Sequence, residues 1–412
     1  MIRILFFAIA LLTIFPITTF AIDEKNIKAG FLRDGNLWTY MNGEEKQITS
    51  TGKIIAKPIW SHDGKWLIYQ NEALSEFQKD ESQFEVWAYH VENGEKKRIY
   101  RDGYSPTWAP NKNIIAFNAR GILNISDFSQ FYNIATGVNN YTWLPDGGGF
   151  LLSSAGVLRP DGWTSAILFT KKVNNNYKDI ILFGGVNHFF TLPREVGIKD
   201  NKIMAVYADN FHFSPSNKWI SFIVSPTASW AMDSNMLCVI SSEGKNFEVL
   251  DEIIFEVGKP KWAPSNDTIA YIAGGGRIVL GFKNKSLKVR EMPVSGSFTP
   301  SSYADLDFDW ITNQSIVSSR VKEKEWSNDF SKHPLPSLYL INIETKKQIQ
   351  ITNPPGKYGD YNPIYIDPIK KLVWFRGSSI TDLDHTLWKA NPDGTKAEQW
   401  IKNVDEIAFY DE

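Results

Sequence analysis

The sequence predicts an all-β protein built as a single β-propeller of four-stranded antiparallel blades. Three observations predict it. A short pattern recurs along the whole chain: an aromatic in an extended run, a tight polar turn, then an apolar strand. Its period of about 40 to 50 residues in short strands marks a solenoid or a propeller. Finally, the two chain ends read as complementary parts of one blade, as a closed ring requires.

The clearest copies run from Lys57 to Tyr69, with Trp60 and the turn Ser61-His62-Asp63-Gly64, and from Ser105 to Phe117, with Trp108. Others centre on Trp143, Phe213 and Trp262, and weaker ones on Trp310 and Tyr365. In the best copy, strand A is expected at Ala56–Trp60, B at Trp66–Gln70, C at Phe84–Val91 and D at Lys97–Tyr100. Asp, Asn and Gly in the A–B and C–D turns supply the positive φ that hairpins need. Ile27–Leu32, Asn36–Met41 and Lys46–Thr49 read as B, C and D with no A before them, and Val404–Tyr410 as an A with nothing after it. Joined, they make the closing blade. Eight blades are expected, with seven as the alternative.

Ahead of the blades, Met1-Ile2-Arg3 leads into an apolar run and then Thr19-Phe20-Ala21. A basic start, a short apolar stretch and small residues before the cut read as a signal peptide over residues 1–21, leaving a propeller over 22–412. The expected location is periplasmic or extracellular, an uncleaved anchor being the alternative. A single cysteine, Cys238, sits in an apolar run and permits no internal disulfide. Net charge is −2 from 44 basic and 46 acidic residues, without the basic face that nucleic acid requires. A monomer is expected.

The copies resemble the TolB-like, WD40-like (PD40) β-propeller repeat, whose usual form is Pro-x-Trp-Ser-Pro-Asp-Gly-Lys before an Ile-Ala-Phe strand. Pro58, Trp60, Ser61, Asp63, Gly64 and Lys65 match it, as do Pro106, Trp108 and Ile115-Ala116-Phe117, and Pro260, Trp262 and Ile269-Ala270-Tyr271. The resemblance implies the propeller fold. It implies no Tol–Pal role, because TolB carries an α/β domain ahead of its propeller and the blades here begin close behind the expected cut.

Chemistry-bearing motifs are sparse. No Gly-x-Ser-x-Gly elbow occurs, and Gly147-Gly148-Gly149 and Gly274-Gly275-Gly276 read as turns, so no cofactor is expected. Asp305, Asp307 and Asp309 alternate with Leu306, Phe308 and Trp310, which would place three carboxylates on one strand face as candidate metal ligands. His212, His188 and His385 are a second candidate set, if the ring axis gathers them.

Loop length gives the functional expectation. A–B and C–D turns are short, whereas B–C and D–A connections are long at Asn71–Gln83, Ala155–Ser165, Gly184–Asn210, Ser225–Asn235, Val321–Pro336 and Gly377–His385. Long loops mark the binding face of a repeat protein. They carry aromatics outside the repeat, Phe77, Trp163, Trp230, Trp326 and Tyr358, with Arg159 beside them. These six are the candidate ligand-binding residues. The expected function is an exported binding protein for a protein, peptide or glycan. The alternative is a propeller enzyme acting on polysaccharide at the ring axis, as a lyase or hydrolase, with or without a metal.

Overall fold

The computed structural model describes residues 27–410 apart from 76–80, 174–176, 178–179, 255–256, 277–281, 293 and 381–384. The expected signal peptide and Phe77 lie outside the described residues. Each repeat folds into a four-stranded antiparallel meander, and eight such sheets are present. Blade 1 is Ile59–Trp60, Trp66–Leu74, Ser82–His90 and Lys96–Tyr100, strands A to D in order. The remaining A strands are Tyr104–Ala109, Asn140–Trp143, Tyr207–Phe213, Lys261–Trp262, Tyr303–Thr312 and Gly359–Ile366, opening blades 2 to 7. Blade 8 is composite. Its A strand Glu406–Phe409 pairs with Lys28–Arg33, with Ala29 opposite Phe409 and Leu32 opposite Glu406.

Two expectations shift in detail. Strands B and C of blade 1 continue into the expected loop at Asn71–Gln83, pairing as far as Leu74 with Ser82. The D–A stretch at Gly184–Asn210 contains the D strand Val186–Thr191 and an extra hairpin, Glu195–Ile198 with Asn201–Met204. That hairpin buries Val196 and Ile203 in the core shared by blades 3 and 4, giving a long loop its own packing.

The repeat aromatic joins one blade to the one before it. Trp108 is enclosed by Ile68, Val86 and Ala88 of blade 1 and by Ile115 and Phe117 of its own blade. Its indole N–H also donates to the carbonyl of Ile59, the residue before Trp60, at 3.0 Å. The same bond recurs in the same register: Trp60 to Ala408 at 3.1 Å, Trp262 to His212 at 3.1 Å and Trp310 to Lys261 at 3.1 Å. Turn residues add a second belt on the A–B side, including Asn113 to Asp63 (2.8 Å) and Ser216 to Asp267 (2.6 Å). In the turn of blade 1, Gly64 has φ +61°, and a Cβ there would stand 2.5 Å from the Tyr410 ring, so glycine is required where the last blade meets the first.

Trp310→Phe keeps a ring in the inter-blade core and removes only the N–H donor. It should cost roughly 1–2 kcal/mol, against about 3–5 kcal/mol for Trp310→Ala, both read by urea denaturation. A phenylalanine variant as stable as the parent would show that the bond contributes nothing.

Candidate functional site

Strand A places side chains by simple alternation. Taking the repeat aromatic as reference, the residue two before it is buried in every blade: Pro58, Pro106, Tyr141, Phe211, Pro260, Phe308, Pro363 and Ile407. Those one and three before it turn the opposite way, toward the ring axis. They include Lys57 of blade 1, His212 of blade 4, Lys259 and Lys261 of blade 5, Asp307 and Asp309 of blade 6 and Glu406 of blade 8. Lys57 feels Glu406, Lys261, Lys259 and Asp309, although blade 5 stands opposite blade 1 in an eight-bladed ring. The charges therefore converge on a central channel.

Within the channel the charges largely answer one another. Lys261 bonds the Asp309 carboxylate at 3.1 Å and the Phe308 carbonyl at 2.7 Å. Burial pushes its amine down, but Asp309 and Asp307 outweigh that and hold it above its ordinary value. Asp307 is raised by burial, against the pull of Lys261. His212 is lowered by burial and by Lys259.

The three aspartates do not share one face. A β-bulge between Asp305 and Asp307 breaks the alternation. Asp305, fully buried, turns to Arg320 (2.8 Å) and accepts bonds from Ser318 (2.6 Å) and Thr299 (2.5 Å), while Asp307 and Asp309 face Lys261. A buried guanidinium has taken the place expected for a cation. The histidines are not gathered either: His212 faces the channel, His188 lies on the D strand of blade 3 beside Thr191 (2.8 Å), and His385 bonds the Ser379 carbonyl (3.0 Å). Among the described residues no three His, Cys, Asp or Glu side chains are grouped to hold a metal.

The candidate aromatics stand on the B–C and D–A connections. Trp230 sits on a short 3₁₀ helix, Ala228–Met232, and is 51% exposed. Trp163 and Arg159 form a small hairpin in blade 3. Its base is tied down by the Gly156 N–H on the Val206 carbonyl at 2.7 Å. Trp326 stacks on Phe282 and lies 4.8 Å from His333, so much of its surface serves the loop itself. Tyr358, half-buried, has the Lys357 amine over its ring.

Three hollows run together on this side. A groove of about 740 Å³ between blades 1 and 2 is lined by Arg98, Arg101, Arg120, Tyr104 and Phe131, among others. Tyr104 and Arg120 also line a second hollow of about 330 Å³ reaching Asn139 and Tyr141. Asn139 in turn borders a cleft of about 370 Å³ with Tyr207, Asp209, Met232, Asn235 and Ile254. The shared residues set the three side by side as a trough along blades 1 to 4. Its character changes along its length. Arg120 is exposed, with Asp102 3.9 Å away, and Tyr104 and Phe131 present ring surface, whereas the far cleft is mostly apolar. Sequence reasoning identified the loop-rich side and missed the trough, whose lining residues are ordinary types scattered from Ser75 to Ile254.

No family model matches the chain, and no curated protein matches it. Among solved structures it is similar to a dihydro-heme d1 dehydrogenase, at 13% identity and TM-score 0.56, covering 94% of this chain and 75% of that one. A puromycin-hydrolyzing peptidase of Mycobacterium tuberculosis aligns at 11% identity and TM-score 0.49 over 85% of this chain; the chain spans 54% of that protein's length. TolB of Acinetobacter baumannii aligns at 12% identity and TM-score 0.38, over 94% of this chain and 66% of that one. At such identities the likeness shows the β-propeller fold alone.

Asp209 gives the site a titration signature. Burial raises its carboxyl to about 6, with Lys259 pulling the other way. An acid raised above its unfolded value of about 4 binds its proton more readily when folded, so its contribution to stability falls as pH rises from about 4 through 6. Asp209→Asn should therefore melt higher than the parent at pH 7.5, and the difference should vanish near pH 4. An offset that stays constant with pH would contradict the assignment.

Proposed function

We propose that this is an exported, monomeric binding protein whose loop-rich face holds an extended peptide segment of a partner protein. The observation that carries the reading is the row of three adjoining hollows: neighbours through Tyr104, Arg120 and Asn139, they suit an extended chain better than a compact molecule. Exposed rings beside arginines are the usual anchors of such surfaces. The apolar wall of the far cleft favours a peptide over a glycan, since Pro226, Ala228, Met232 and Ile254 offer contact surface to an apolar side chain. Trp163, Trp230, Trp326, Arg159 and Tyr358 surround this face and extend the contact area. The N-terminal signal supports export. The closed ring, which leaves no unpaired A strand, supports a monomer.

A polysaccharide enzyme at the axis has less behind it. Lys261 is paired with Asp309, and Asp305 is committed to Arg320.

The test is selection of random peptides displayed on phage against the purified protein. Selected peptides should bind Tyr104→Ala and Arg120→Ala at least tenfold more weakly, as for anchors worth about 2 kcal/mol, while both variants melt within a few degrees of the parent. Unchanged binding in both variants would move the site elsewhere. Failure to select any peptide, with binding to an acidic oligosaccharide panel, would make the ligand a glycan.

A further inference from the structure

The far cleft contains polar atoms that the protein itself leaves unmatched. Asp209 borders it from strand A of blade 4, and its Oδ1 is enclosed without a hydrogen-bond donor. Asn235, at the start of strand C in the same blade, is 1% exposed; its Nδ2 is spent on the Ala231 carbonyl at 2.8 Å, and its Oδ1 has no donor. Buried acceptors of this kind are rare in native proteins and call for an explanation, because each forgoes the bonds it would make in water. The enclosed Asn210 amide does not answer them: its side chain lies 3.0 Å from the His212 ring, on the channel side of the strand, and does not border the cleft. Opposite this polar end the wall is apolar, with Pro226, Met232 and Ile254.

We propose that this cleft receives a primary ammonium carried on an apolar group, with Asp209 as its counter-charge. The inference rests on the peptide-binding reading and specifies what the apolar end of the trough recognises. A group rich in N–H donors matches a site rich in acceptors, and its positive charge compensates a carboxylate that burial otherwise disfavours. An anion is the wrong complement for two unmatched acceptors. One carboxylate and one amide are too few ligands for a calcium-type cation. Lys259 of blade 5 is the cation that Asp209 feels, and no ion pair joins the two. Two sources supply the chemistry: the free N-terminus of a chain beginning with an apolar residue, or a lysine side chain.

Recognition of this kind depends on pH. Lys259, across the blade interface, is the charged group that acts on Asp209, which changes charge near pH 6. Affinity for an ammonium should fall as the pH drops through that value.

The experiment uses three small compounds and isothermal titration calorimetry on the full chain at pH 7.5: leucinamide, N-acetyl-leucinamide and N-acetyl-lysinamide. Leucinamide should bind saturably and its acetylated form at least tenfold more weakly. Asp209→Asn, checked for folding by its melting curve, should lose at least tenfold for leucinamide and nothing for the acetylated compound. Binding of N-acetyl-lysinamide as tight as that of leucinamide would assign the ammonium to a lysine side chain, and weaker binding to a chain terminus; either supports the proposal. Equal binding of the free and acetylated leucine compounds, or binding of neither, overturns it. If phage-selected peptides still bind in that case, the trough stands and only the ammonium is lost.

Discussion

An indole N–H reaching from one blade to the backbone of the one before it is the interaction around which this ring is organised. Four times, from Trp60, Trp108, Trp262 and Trp310, it ends on the carbonyl of the residue preceding the neighbouring aromatic. Each bond is modest in net free energy, but its geometry fixes how adjacent A strands stand to one another. Once that register is set, alternation sends every second residue between the blades and the rest toward the axis. The charged channel is thus a consequence of the stitch rather than a separate feature.

The stitch is absent at the junction of blades 2 and 3, beside the hollow shared by Tyr104 and Asn139. Trp143 of blade 3 has a buried indole nitrogen with no partner, and the junction with blade 2 is made instead by the Tyr141 hydroxyl on the Ser105 carbonyl. Blades 4, 7 and 8 carry Phe213, Tyr365 and Phe409 in place of the indole. Polar side chains at the far ends of B strands hold some of these junctions: Asn118 to the Val138 carbonyl (2.8 Å), Ser153 to Ala208 (2.7 Å) and Ser319 to Asp360 (2.8 Å). Two of these three bonds lie along the course of the trough, so the backbone that shapes it is fixed while its side chains remain open to a ligand.

Architecture was legible because propeller repeats write local rules into each copy. The Trp, the Asp-Gly turn and the following apolar strand lie within about fifteen residues of one another, and their recurrence revealed the blades and the closure by Glu406–Phe409. The site obeys no such rule. Asn139, Asp209 and Asn235 come from two blades and three kinds of position, and none is unusual for its segment. The aspartate run misled for a physical reason: strict alternation holds only while the ladder is regular, and the bulge at Leu306 sends Asp305 to Arg320. Trp326 looked like a free anchor, yet a loop of sixteen residues needs a core, and Phe282 and His333 share it. A signal was present for the channel, in the charged residues one and three places before each aromatic.

Binding along the loop-rich face rather than at the opposite mouth of the ring is the central claim. The most direct measurement is backbone hydrogen exchange on the full chain, alone and saturated with a phage-selected peptide. Added protection is expected around 101–105, 118–121, 138–141, 207–210 and 225–235, the backbone that lines the trough. Protection confined instead to Pro58–His62 and Ile407–Tyr410, which border a hollow of about 450 Å³ reaching the A–B turn of blade 1, would place the ligand at the other mouth and contradict the account.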